Sequence, residues 1–156
     1  MNLIRRKFVK STTFLSVGAA LVGSGLLVPQ RVLGAYAQAA FDANDVAGAL
    51  NGSLGASDYS ASDAVKLKAP DIAENGAVVP ITVSSTMGNV TAISIIATSN
   101  PSPLTSTYQL SASSEPYVST RIKMAKTGDV IAVVKADGKL YSATKEVKVT
   151  IGGCGG

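Results

Sequence analysis

The 156-residue chain contains no histidine, no tryptophan and a single cysteine, and aromatic residues make up only 5% of it. Without an imidazole there is no Ser-His-Asp set, no HExxH metal site and no histidine to act as base toward the one thiol. A lone cysteine excludes a CxxC pair and leaves no second thiol to resolve a disulfide. The chain also has no phosphate-binding glycine loop, so self-contained catalysis has no residues to carry it. Long apolar runs are missing as well. Residues 14–28 are apolar but diluted by Gly18, Gly23, Ser24 and Gly25, a stretch too short and too rich in glycine to span a bilayer.

What precedes that stretch is informative. Arg5-Arg6-Lys7-Phe8-Val9-Lys10 pairs two arginines with an aromatic residue, an aliphatic residue and a lysine, the pattern of a twin-arginine export signal. Ala35-Tyr36-Ala37 follows as a small-x-small cleavage site, which makes Gln38 the expected first mature residue. The sequence thus predicts a signal over residues 1–37 and a periplasmic destination, against an uncleaved membrane anchor. Five cations (Arg5, Arg6, Lys7, Lys10, Arg31) and no acids lie in that segment, so its removal takes the net charge from +4 to −1. The basic pI belongs to the signal and supports no nucleic-acid reading. Twin-arginine cargo travels folded, usually with a cofactor or a partner already in place. With no cofactor motif present, a co-exported protein partner is the expectation.

The remaining residues suffice for one domain with one core. Residues 38–63 are rich in Ala, Gly, Ser and Asp, and Asp42 is placed to cap a short helix over residues 43–50, ended by Asn51-Gly52 and Gly55. Residues 64–151 have β texture. Val65 and Leu67 alternate with Lys66 and Lys68, and residues 71–76 read as a turn. Residues 78–84 form a strand in which Pro80 marks an edge or bulge. Further strands are expected over 89–98, 104–110, 117–124, 130–136 and 139–151. Asp137-Gly138 joins two alternating runs as a type I′ hairpin requires. Six or seven short strands with almost no helix predict an all-β, immunoglobulin-like antiparallel sandwich.

That sandwich is expected to end in an arm, residues 152–156, reading Gly152-Gly153-Cys154-Gly155-Gly156. Four glycines around one thiol predict mobility, and five extended residues reach roughly 16–18 Å. The arm offers no cation or helix N-terminus to lower the thiol pKa, and a carboxylate two residues on would hold it up. Such a sulfur depends on partners for activation. The readings open at this point are a group carried covalently on Cys154, a secreted β-sandwich interaction module dimerising through a Cys154 disulfide, and a chance surface thiol. An activated terminal Gly155-Gly156 is a further one, which export disfavours because adenylation needs ATP.

Other candidates are weaker. Arg121, Lys123 and Lys126 make a basic strip whose default reading is a solvated face. Asp71 and Glu74 lie in a segment that turn chemistry explains, and no metal site is expected there. Tyr108, Tyr117 and Tyr141 are expected to pack on or edge the core.

Four stretches carry a resemblance: residues 68–80 (Lys-Ala-Pro-Asp-Ile-Ala-Glu-Asn-Gly-Ala-Val-Val-Pro), residues 100–104, residues 119–124, and residues 149–156 with the terminal glycine-cysteine motif. In these the chain resembles the SoxY family of sulfur carriers of bacterial thiosulfate oxidation, from about Ala64 to the end. The resemblance implies an immunoglobulin-like sandwich paired with SoxZ, and a non-catalytic carrier with no cofactor of its own. It implies that Cys154 holds every intermediate. A c-type cytochrome would join thiosulfate to the thiol and a hydrolase would release sulfate. In some organisms a molybdenum–haem sulfane dehydrogenase would oxidise the remaining sulfur. Gly152, Gly153, Gly155 and Gly156 would then let several unlike active sites accept one tether.

Overall fold

A computed structural model describes residues 38–111 and 113–152. The export signal with Arg5 and Arg6, and the arm residues Gly153, Cys154, Gly155 and Gly156, lie outside the described residues. In chain order the elements are helices α1 (Gln38–Asp42) and α2 (Val46–Leu54), then strands β1 (Tyr59–Ala61), β2 (Val65–Lys68), β3 (Ile72–Asn75), β4 (Val79–Ser85), β5 (Val90–Ala97), β6 (Leu104–Gln109), β7 (Tyr117–Ile122), β8 (Gly128–Ala136) and β9 (Lys139–Ile151).

The strands β5 and β8 are apolar at nearly every position because both of their faces are covered. Ile93, Ile95, Val130, Ala132 and Val134 face the second sheet, where Val79, Ile81, Val83, Val118 and Ile122 meet them. Ala92, Ile96, Ile131 and Val133 face outward and are roofed by Ala40, Ala49, Leu50 and Leu54 of the helices. The first sheet has the order β1-β9-β8-β5-β6, with β3 also on β9; the second has the order β2-β4-β7. The expected all-β sandwich therefore stands, with two short helices as a third layer on one face.

Three local differences have physical causes. The second helix begins later than expected because Asp45, not Asp42, caps it: Asp45 Oδ1 accepts the Gly48 N–H at 2.8 Å. Asp42 instead closes α1, accepting from Gln38 Nε2. The helix runs through Asn51-Gly52 and stops where the Gly55 N–H reaches the Asn51 carbonyl. Residues 71–76, read as a turn, contain β3, which pairs in parallel with β9. The short β1 also runs parallel to β9, so two edge ladders depart from the antiparallel plan followed by every other pairing.

Other expectations are met. Asp137 and Gly138 have φ of 50° and 75°, the two positive values of a type I′ hairpin between β8 and β9. Pro80 lies in the central strand of the small sheet, yet β2 ends opposite Thr82, so at Pro80 only β7 is alongside. The missing N–H is tolerated there for the reason edge prolines are.

Candidate functional site: the root of the C-terminal arm

The last strand outruns its main partner. The β8–β9 ladder ends with Gly128 opposite Val147, but β9 continues to Ile151. Those last residues are held by β3, with Ile72, Ala73 and Asn75 opposite Lys148, Val149 and Ile151. The Lys148 N–H donates to the Asp71 carbonyl at 3.0 Å, and the Gly76 N–H donates to the Ile151 carbonyl at 2.8 Å. Thr150 Oγ1 donates to the Glu74 carbonyl at 2.9 Å. On the opposite side Thr127 Oγ1 accepts the Val149 N–H at 2.9 Å and donates to the Val149 carbonyl. The extension is thus held by β3 up to its final residue and by Thr127 as far as Val149.

Beyond it the chain makes one more close approach. A Cβ on Gly152 would collide with the carbonyl oxygen of Ala125, so this position needs a residue without one. Gly152 is in this respect a seat as well as the first residue of the predicted arm. Cys154 follows two residues later, outside the described residues together with Gly153, Gly155 and Gly156.

The seat is itself braced. Asn100 Nδ2 donates to the Lys123 carbonyl and Asn100 Oδ1 accepts the Ala125 N–H, both at 2.8 Å. Ser99 Oγ donates to the Lys126 carbonyl at 2.9 Å. The Met124 N–H donates to the Gly76 carbonyl at 2.7 Å, which ties the same segment back to the β3 splint. Met124 is fully buried and anchors that segment in the core.

Electrostatics at the root are asymmetric. Lys145 Nζ contacts Asp71 Oδ1 at 2.9 Å and donates to the Ala69 carbonyl. The Lys145 hydrogen bond, then its charge, hold the Asp71 carboxyl below the usual carboxylate range. Arg121, Lys123 and Lys126 are exposed and enter no ion pair among the described residues. That exposure is what a solvated face requires, and Lys123 and Lys126 flank Ala125 in the sequence. Asp71 and Glu74 do not form part of any cluster of three potential metal ligands among the described residues. Tyr108 and Tyr141 pack against the core as expected, whereas Tyr117 is 53% exposed and faces outward.

The splint β3 and the Ala125 seat were not legible as site elements. Ile72 is 59% exposed and Ala73 buried, so the apolar alternation that marks a strand is inverted at its largest residue. The available signal was the length of the final run, which extends past any strand its hairpin partner can match. No described helix is long and apolar enough to cross a membrane.

Comparison with known proteins shows the family. The family model described as "Sulfur oxidation protein SoxY" matches residues 50–154. The structure of the sulfur carrier protein SoxY from Chlorobium limicola f thiosulfatophilum is 43% identical, with a TM-score of 0.62 over 70% of this chain and 96% of that one. A superoxide reductase (neelaredoxin) from Ignicoccus hospitalis is similar at 21% identity and a TM-score of 0.49, over 55% of this chain and 79% of that one, too distant to carry an argument. No curated protein matches. The family match runs from within the second helix through both sheets and the splinted end of β9 to the cysteine beyond it, and on that ground the chain belongs to the SoxY family of sulfur-oxidation proteins.

Proposed function

We propose that this sulfur-oxidation carrier holds its cargo covalently on Cys154 and presents it to partner enzymes in the periplasm. The observation that carries the reading is the doubly splinted end of β9, which projects past the β8 ladder and delivers the chain to Gly152, two residues before the only cysteine. A firm root and a glycine-rich tip combine fixed position with reach. Tethering raises the effective concentration of the cargo at a docked enzyme.

The chemistry follows from what the chain lacks. With no histidine to act as base, the thiol must be engaged by other proteins. A c-type cytochrome joins thiosulfate to Cys154 with formation of an S–S bond; the thiol proton leaves and two electrons pass to haem. A hydrolase then adds water across the terminal S–S bond, releasing sulfate and a proton and leaving a persulfide on Cys154. Where a sulfane dehydrogenase is present, it oxidises that outer sulfur for another hydrolysis. The chain contributes presentation and no catalytic group. Gly153, Gly155 and Gly156 add no side chain beside the sulfur, and each carries a backbone N–H, a donor type suited to an anionic sulfone.

SoxZ is the proposed folded partner, exported with this chain on the signal containing Arg5 and Arg6. Exposed Ile72 on β3, Val78 in the turn after it and Ile151 at the end of β9 offer apolar side chains to a docked protein. The test is a reconstituted thiosulfate-oxidising mixture in which Cys154→Ser replaces the native chain. Turnover should stop while the fold is retained, and undiminished turnover would overturn the proposal.

A further inference from the structure

The edge strands β6 and β7 belong to different sheets, and a recess of about 380 Å³ opens between them, lined in part by Ser102, Ser106, Thr120, Arg121 and Lys123. One of its lining groups is anomalous. Ser106 Oγ is buried and has no hydrogen-bond partner among the described residues, a state that calls for an explanation such as a water or ion held nearby. A bulge puts it there. The β5–β6 register shifts between Ile95 and Ile96, so Ile95 faces Ser106 and Ile96 faces Leu104. Ile95 belongs to the core between the sheets and Ile96, with Leu104, to the core under the helices. Ser106 is therefore turned toward the inter-sheet side, at its open edge.

Among the described residues the charge lining the recess is of one sign. Arg121 and Lys123 are both exposed, neither enters an ion pair among the described residues, and no carboxylate lines the recess. Two cationic residues line the recess together with serine and threonine residues, and a guanidinium matches oxyanions especially well. The volume exceeds the ~30 Å³ share of a single water many times over, enough for a small hydrated anion.

The recess also adjoins the arm. Asn100 lines it and bonds both Lys123 and Ala125, and Ala125 is the seat of Gly152. Cys154 lies two residues beyond Gly152 in the sequence, a length of at most about 7 Å when extended.

We propose that the recess between β6 and β7 binds a tetrahedral sulfur oxyanion through Arg121, Lys123, Ser106 and Thr120. The anion comes either from solution or from the end of the group carried on Cys154; the second source rests on the carrier reading above, the first does not. Amide NMR of the exported chain separates them. In one arm, sulfate and thiosulfate are titrated into the Cys154→Ala protein. In the other, native protein is treated with tetrathionate, whose attack by the thiol leaves a thiosulfonate on Cys154 and releases thiosulfate and a proton; free anions are then removed. Shifts at Ser106, Thr120 and Lys123 are expected in at least one arm, and Arg121→Gln should weaken a free anion about tenfold or release the tethered one. Ser106→Ala should weaken it too, with both variants folded. A response to free anion identifies that source even if Cys154 carries no sulfur, and a response confined to the loaded protein identifies the tether. No response in either arm, or one equalled by chloride and acetate at the same ionic strength, overturns the proposal.

Discussion

Gly76 binds Ile151 and, through its other backbone group, Met124: its N–H donates to the Ile151 carbonyl at 2.8 Å while its carbonyl accepts the Met124 N–H at 2.7 Å. A single residue thus connects the last residue of β9 to the segment on which Gly152 rests. The root of the proposed arm is a product of three chain segments far apart in sequence, residues 71–76, 123–127 and 147–152.

Thr127 is the most economical place to loosen that root. Its hydroxyl serves both backbone groups of Val149. Thr127→Val should cost about 1 kcal/mol of stability and speed amide exchange at Val149 well beyond the global change. Hydrogen exchange measured by NMR checks this; unaltered protection at Val149 would show that β3 alone holds the strand.

Gly152→Ala tests the seat separately from the splint. The added methyl meets the Ala125 carbonyl, and because the site lies past the end of β9 the strain should be relieved by local displacement. Global stability should change by less than about 1 kcal/mol, with chemical-shift changes centred on Ala125 and its neighbours. Shifts that spread into β8 would contradict a local seat.

Stability should reside in the sandwich and be indifferent to the thiol. Ile95 is fully buried between the sheets, and Ile95→Ala should cost about 2–5 kcal/mol. Cys154→Ser should stay within about 0.5 kcal/mol of the native chain. Urea denaturation of the two variants decides it, and a large loss for Cys154→Ser would mean that the cysteine packs.

The Asp71–Lys145 pair gives the root a pH dependence of known sign. Lys145 lowers the Asp71 pKa below its ordinary 3.8, so the unfolded chain takes up the proton first as pH falls. The contribution is fully present above that value and is lost as pH drops through the lowered folded one. Asp71 is largely exposed, so the effect should be small. Amide exchange at Lys148, whose N–H bonds the Asp71 carbonyl, should rise in this acid range relative to exchange across β5, and Asp71→Asn should remove that difference.

Much of this was legible because it is encoded locally. The apolar runs of β5 and β8, the Asp137-Gly138 turn and the long alternation of β9 each announce themselves within a few residues. The splint was not legible, since β3 turns Ile72 outward and finds its partner Lys148 at the far end of the chain. Gly152 read as a flexible residue because the carbonyl it avoids belongs to Ala125, which only the fold brings near. The basic residues read as a solvated strip for the same reason. Their neighbours Asn100 and Ser106 come from a different sheet edge.

The central claim is that sulfur travels on Cys154. Its most direct measurement is the intact mass of the chain, with its partner, after incubation with thiosulfate and the oxidising cytochrome. The account predicts a sulfonate-bearing adduct that maps to Cys154, is removed by reductant and is absent from Cys154→Ser. An unmodified mass under conditions in which thiosulfate is consumed, or an adduct that persists in Cys154→Ser, would contradict it.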